Sequence, residues 1–260
     1  MQARSHPYFA ARFTALAHRG GWVTPADAPR ENTAYAFGQA LGLGYRYLET
    51  DVWASADGEL VAFHDDRLDR VADASGPVGK RTWAELSAVR IGGIDPIPRL
   101  SDLLEEFATA RFNIDIKDDN AVELLADLIE RHGAGNRVCV ASFSSARLRE
   151  FRRRAPQVAT ATSPVGVAWA TLAFGRRRPW PDPGLALQIP VRYENAPFTL
   201  LRPDVIRLAH ASGRVVHVWT VNDAAEMHRL IDLEVDGLVS DDITTLKQVL
   251  IERGLWEDES

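Results

Sequence analysis

The sequence predicts a single-domain α/β protein of the (β/α)8 barrel class, on three observations. Eight short runs rich in Val, Ile and Leu alternate with segments of helical periodicity. The chain has 260 residues, close to the roughly 250 typical of one such barrel. No linker, low-complexity tract or internal repeat divides it. With 46% hydrophobic and 25% charged residues the composition suits a large globular core. A doubly wound open sheet is the alternative arrangement of the same elements.

In chain order, the first strand is expected at 14–18, where an apolar run meets the turn residues Gly20-Gly21, with a helix over 33–43 behind it. The second strand is expected at 45–52. A further apolar run, 60–64, follows it too closely for a parallel crossover, which needs a dozen or more residues, so Ala56-Asp57-Gly58 turns a hairpin. Symmetric folding about Asp57-Gly58 sets Asp51 opposite His64. Residues 66–99 are too few for a large substrate-capping domain, and a helix is expected over 100–110. The remaining strands are expected at 112–117, 138–142, 158–162, 185–190, 215–221 and 237–240, with helices over 121–132, 145–154, 204–211, 224–233 and 243–253. The proline-rich stretch 179–183 reads as a rigid loop after the sixth strand.

Charge and cysteine usage narrow the function classes. Thirty Lys+Arg against 36 Asp+Glu give a net charge of −6, which argues against a nucleic-acid partner bound by phosphate neutralisation and leaves a small-molecule substrate. The lone cysteine, Cys139, excludes an intrachain disulfide and a zinc-cysteine site, and reads as buried core. Residues 1–7 lack the apolar stretch of a signal peptide, so the expected compartment is the cytoplasm. The longest apolar run, 165–175, is too short for a bilayer, which takes roughly 20 residues, and no transmembrane segment is expected. It precedes Arg176, Arg177 and Arg178, and reads as a barrel helix with a basic end or, alternatively, as a lid touching lipid headgroups.

Barrel enzymes carry their chemistry where strands end and loops begin, and polarity collects at those ends here. The first strand ends in His18 and Arg19, the second carries Glu49 and Asp51, the hairpin returns His64 and Asp65, and the third carries Asp115 and Lys117. Residues two apart on a strand share a face, so Glu49 pairs with Asp51 and Asp115 with Lys117. Three converging carboxylates call for a cation, and oxygen donors suit Mg²⁺, Ca²⁺ or Mn²⁺. Two histidines on the same rim supply an acid and a base, while Arg19 and Lys117 supply positive charge for an anionic substrate. Together these are the means to cleave a phosphate ester. The pattern does not say which histidine is acid and which is base.

His18-Arg19-Gly20, Glu31-Asn32-Thr33, Glu49-x-Asp51, His64-Asp65, Asp115-Ile116-Lys117, Trp219-Thr220-Val221-Asn222 and Asp236-Gly237, in that order, resemble the glycerophosphodiester phosphodiesterase family over residues 13–250. The resemblance implies a TIM barrel that hydrolyses glycerophosphodiesters to glycerol 3-phosphate and an alcohol with one divalent cation. It implies His18 and His64 as the acid/base pair, Glu49, Asp51 and Asp115 as metal ligands, and Arg19 and Lys117 as phosphate clamps. It also implies that Glu31 orients rim residues such as Arg19. Asp115 departs from the family's usual Glu by one methylene, which allows a water-mediated metal contact. The venom-type sphingomyelinases D are similar at the rim but carry disulfides that this chain lacks.

Each residue also has a plainer reading. Glu49 and Asp51 alone would suit a solvated strand edge beside Arg46, and Trp219 would suit barrel filler as well as a surface for glycerol carbons. Asn32 would serve as a simple helix cap. His6, His132, His210 and His228 fit no motif, whereas His217 shares a strand face with Trp219. Phe143 and Ser142 shape the pocket. A Schiff-base role for Lys117 does not account for three carboxylates beside it. Alternatives to the main reading are a lysophospholipase D acting on longer lipids and a catalytically silent phosphodiester-binding barrel.

Overall fold

The computed structural model describes residues 2–172, 180–192 and 201–257. Eight parallel strands form the barrel: β1 (Thr14–Trp22), β2 (Tyr47–Ala54), β3 (Arg111–Ile116), β4 (Val138–Ala141), β5 (Ala159–Thr160), β6 (Ala186–Pro190), β7 (Val215–Trp219) and β8 (Gly237–Asp242). They follow one another in sequence order around the sheet, with β8 returning to pair with β1, so the doubly wound alternative falls away. Outside them lie α1 (Ala34–Gly42), α2 (Leu100–Glu106), α3 (Ala121–Arg131), α4 (Ser145–Arg154), α5 (Pro164–Leu172), α6 (Pro203–Ala211), α7 (Ala224–Asp232) and α8 (Ile243–Glu252). Side-chain caps fix several starts: Thr33 for α1, Ser144 for α4, Asp223 for α7 and Asp242 for α8 each accept a backbone N–H of the first turn. Such a cap stabilises a helix by about 1 kcal/mol.

The barrel closes most weakly between β5 and β6. One parallel bridge, Ala161 to Ala186, joins them, supported by Thr162 N to Ala186 O (2.8 Å) and Leu185 N to Thr160 O (2.8 Å). Arg152 from α4 clamps this join, donating to Thr160 Oγ1 (2.9 Å), Ala161 O (2.7 Å) and Asp182 Oδ1 (3.0 Å). The backbones pass so closely that a Cβ on Gly184 would lie 2.5 Å from Ala161 O. The described part of the proline-rich stretch, 180–183, leads into β6, not away from it as expected.

Two local expectations change. The hairpin return strand Leu60–Ala62 pairs Val52 with Ala62 and Ala54 with Leu60, which sets Asp51 opposite Phe63, not His64. The turn is centred on Asp57 alone, because Ser55 N donates to Glu59 O (2.8 Å) and Ser55 Oγ accepts Glu59 N (2.8 Å), making an odd-numbered loop. Phe63 therefore enters a small second core with Val61, Leu68, Val78, Leu86, Ile91 and Ile97. This core organises residues 63–99 into an insertion beside the barrel mouth, tied to the β1–α1 loop by the Arg30–Asp95 ion pair. Asn32, expected as a helix cap, is displaced from that duty by Thr33; its buried amide turns inward instead, toward Thr50 and Asp51.

His217 belongs to the barrel core and lies outside the mouth cavity. Its ring is fully buried against Phe9 (centroids 6.0 Å apart), neither nitrogen has a partner, and burial lowers its pKa from 6.5 to about 4. Unfolding releases the ring to its ordinary value, so between these limits the unfolded chain binds more protons and stability falls as pH falls. Urea melts should show the native protein losing about 2 kcal/mol more than His217→Leu between pH 7 and pH 5. Equal losses in the two proteins would show that the ring is protonated in the fold.

Candidate active site

The barrel's C-terminal mouth opens into a cavity of about 460 Å³. His18, Arg19, Glu49, Asp51, His64, Asp115, Lys117 and Trp219 all line it; Glu31 stands behind Arg19. The end of β1 shows how the sequence builds this rim. Arg19, Gly20 and Gly21 all take left-handed backbone conformations, and a Cβ on Gly21 would meet Asp241 O at 2.8 Å and Ile243 Cγ2 at 2.4 Å. Glycine there lets β1 pass against β8. Register then sets Asp51 beside Asp115 and Glu49 beside Asn113 across β2 and β3.

The two histidines are held alike. His18 Nδ1 lies 2.5 Å from Asp241 Oδ1, and His64 Nδ1 lies 2.6 Å from Asp65 Oδ1. A neutral ring that donates from Nδ1 to a carboxylate leaves Nε2 as its free base. Burial alone would lower the His18 pKa, but Glu49 and the Asp241 bond together raise it; burial lowers that of His64. Asp241 is fixed in turn by Asn222 Nδ2 (2.9 Å to Oδ2), whose Oδ1 accepts Asp241 N (2.9 Å) and Ser240 Oγ (3.0 Å).

The carboxylates are buried with the two expected phosphate clamps among them. Lys117 Nζ lies 2.8 Å from both Asp51 Oδ1 and Asp115 Oδ2, and Arg19 Nε lies 3.3 Å from Asp51 Oδ2. Burial would raise Asp51, but Lys117 and Arg19 together hold it down. Burial raises Glu49, with Asp51's charge adding to it, and burial also raises Asp115. Asp115 Oδ1 is buried with no hydrogen-bond partner. The negative charge thus exceeds what Lys117 and Arg19 offset, and an all-oxygen donor set of this kind fits a hard divalent cation. Among the described residues, however, no three His, Cys, Asp or Glu side chains are gathered as a formed metal site.

Part of the cavity wall is apolar. Phe143, Val167, Leu172, Pro190 and Trp219 line it, with Phe143 and Trp219 in edge-to-face contact at 5.7 Å. Phe143 and Leu172 are 62% and 67% exposed, so this wall continues onto the surface. Val167 and Leu172 belong to α5, which contains the first part of the apolar run 165–175; residues 173–178 of that run and its arginines lie outside the described residues. Among the described residues no helix is long and apolar enough to cross a membrane.

Sequence reasoning missed Asp241 and Arg70, gave Asn32 only a capping role, and quoted Asn222 and Asp65 without giving them roles. Asp241 carried the same signal as the others, a carboxylate at the C-terminal end of a strand. Arg70 carried none, since one partner, Glu31, lies in another segment and the other, Asp65, is reached only through the fold of the 3-10 turn.

Comparison with known proteins gives a consistent picture. Residues 18–245 match the model of the glycerophosphoryl diester phosphodiesterase family. A Mycobacterium tuberculosis protein named "Probable glycerophosphodiester phosphodiesterase 2" is 39% identical over 252 residues, covering 94% of this chain and 92% of its own. The crystal structure of a glycerophosphodiester phosphodiesterase from Agrobacterium tumefaciens superposes with a TM-score of 0.72 at 25% identity, covering 90% of this chain and 99% of that one. An Oleispira antarctica phosphodiesterase, solved with the product sn-glycerol-3-phosphate, superposes at 0.75 with 22% identity over 92% of this chain and 96% of that one.

Proposed function

The chain belongs to the glycerophosphoryl diester phosphodiesterase family, and on that premise we propose that it hydrolyses glycerophosphodiesters to glycerol 3-phosphate and an alcohol, with His18 and His64 as acid and base. The observation that carries this reading is the pair of imidazoles lining one cavity, each with Nδ1 engaged by a carboxylate.

Arg19 and Lys117 bind the phosphodiester and offset charge as it develops on the phosphoryl oxygens. Nε2 of one histidine takes the proton of the nucleophile, which is water or the substrate's own glycerol hydroxyl. The nucleophile's oxygen bonds to phosphorus, the bond from phosphorus to the alcohol oxygen breaks, and the other histidine, entering as the imidazolium, gives its Nε2 proton to that oxygen; where the nucleophile is the glycerol hydroxyl the product is a cyclic phosphate, which water then opens to glycerol 3-phosphate with the two histidines in exchanged roles. Asp241 and Asp65 accept the Nδ1–H of each ring, so that Nε2 is the atom that takes up or gives the proton. Glu49, Asp51 and Asp115 would hold a divalent cation such as Mg²⁺, Ca²⁺ or Mn²⁺, which when bound supplies positive charge to a phosphoryl oxygen. Trp219 and Phe143 offer an apolar face to the substrate's carbon atoms.

The decisive assay is release of glycerol 3-phosphate from glycerophosphocholine by the purified protein with each of these cations in turn. Release with at least one of them is expected. A folded protein inactive with all three would count against the reading.

The exposed apolar wall favours a second reading, in which lysophospholipids are also cleaved. A series of lysophosphatidylcholines of increasing acyl length separates the two: kcat/KM rising with chain length supports the longer substrates, and a fall from glycerophosphocholine onward removes them.

A further inference from the structure

The insertion over residues 63–99 places Arg70 beside the site, between Asp65 and the β1–α1 loop. Arg70 lies in the 3-10 turn Leu68–Arg70, anchored by Leu68, which is fully buried in the insertion's own core. Its Nε donates to Asp65 Oδ2 (2.6 Å), while Nη1 and Nη2 donate to Glu31 Oε2 (3.0 Å) and Oε1 (2.5 Å). Each carboxylate is also engaged by a residue of the mouth: Asp65 Oδ1 by His64 Nδ1 (2.6 Å) and Glu31 Oε1 by Arg19 Nη1 (3.1 Å). A continuous charged chain thus runs from the hairpin histidine through the insertion to the arginine at the end of β1.

We propose that Arg70 is a positioning residue for the reaction, setting His64 through Asp65 and Arg19 through Glu31, so that the insertion orders the active site. The inference rests on the roles given above to His64 and Arg19. Surface ion pairs are usually worth little, and the Arg70 side chain is 47% exposed. This one differs in geometry. It makes three charge-assisted bonds to two carboxylates that are only 17% and 23% exposed, from three separate nitrogens of one planar guanidinium. A lysine's single ammonium would not reproduce the paired bonds to Glu31 together with the bond to Asp65. Without Arg70, Asp65 has no second anchor and the His64 ring loses the fixed partner that selects its Nδ1–H tautomer. Glu31, likewise freed, no longer fixes the Arg19 guanidinium, whose own backbone is already held in a left-handed turn (φ 52°).

The test pairs turnover with a spectroscopic readout. Arg70→Ala should lower kcat on glycerophosphocholine about 10- to 100-fold, the scale of a misplaced catalytic group. Added guanidinium chloride at low concentration should restore part of it, and Arg70→Lys should stay low. In ¹⁵N spectra of histidine-labelled protein at pH 8, His64 should change from one Nδ1–H tautomer to a mixture in Arg70→Ala and return with guanidinium. Thermal melts establish that both variants are folded, and Arg70→Lys supplies the readout if Arg70→Ala does not fold. Native kcat with an unchanged His64 tautomer overturns the proposal, as does lost turnover with the tautomer unchanged. The tautomer measurement needs no substrate, so its failure is distinct from failure of the native protein to cleave glycerophosphodiesters.

Discussion

Alanine at either His18 or His64 should cut kcat on glycerophosphocholine by about 10²- to 10⁴-fold, the usual contribution of a positioned general acid or base. Both rings line the cavity, both have Nδ1 committed to a carboxylate, and among the described residues neither has a competing partner on Nε2 closer than Glu49 Oε2, 3.8 Å from that of His18. A substrate with a better leaving group tells them apart. On a p-nitrophenyl diester of glycerol phosphate the departing oxygen needs no proton, so the variant lacking the acid should recover most of its rate, whereas the variant lacking the base should not. Near-native turnover on glycerophosphocholine in either variant, with unchanged thermal melting, would remove that residue from the mechanism. Recovery by both or by neither would show that the labour is not divided between them.

Chelation should have an effect of similar size. Dialysis against EDTA is expected to lower turnover by about 10²-fold or more, since a cation at a phosphoryl oxygen contributes several kcal/mol to the transition state. Returning Mg²⁺, Ca²⁺ or Mn²⁺ should restore it. Melting provides a second measure: a cation at 100 times its dissociation constant should stabilise the fold by about 2.7 kcal/mol. Asp115→Asn should raise the concentration at which both responses appear, because Asp115 Oδ1 is the buried acceptor with no partner. Full turnover in stripped protein would rule out the cation, and would leave Lys117, lying 2.8 Å from both Asp51 and Asp115, as the neutralising charge.

The barrel was legible because its strands are short, largely apolar runs set apart by periodic segments, and because crossover length excludes a parallel strand as near to β2 as the hairpin return. What escaped depended on single atoms or on partners distant in sequence. The hairpin register turned on whether its loop held an even or an odd number of residues, which Ser55 Oγ decides by accepting Glu59 N. Helix α5 did not escape: it lies in the run read as a barrel helix, although it has no polar stripe, since Gly166 and Ala170 pack inward while Val167 and Leu172 line the cavity. Asn32 looked like a cap because its neighbour Thr33 is equally suited to that place. The carboxylates and histidines of the mouth were legible as polarity at strand ends; the engagement of Asp51 by Lys117 and of His18 by Asp241 was not, because side-chain pairing across strands follows the barrel's register. Arg70 lay beyond any local pattern.

The join between β5 and β6 has a consequence for the order in which the molecule opens. Elsewhere the strands are fastened by ladders; here one bridge and the Arg152 clamp hold two edges together. Hydrogen exchange should therefore find the amides of Thr162 and Leu185, which donate across this gap, exchanging ahead of those in β1 and β2. The cavity's apolar wall flanks the same gap, with Pro164 just after β5 and Pro190 ending β6. Partial opening there would widen the cavity while the carboxylates on β2 and β3 stay protected.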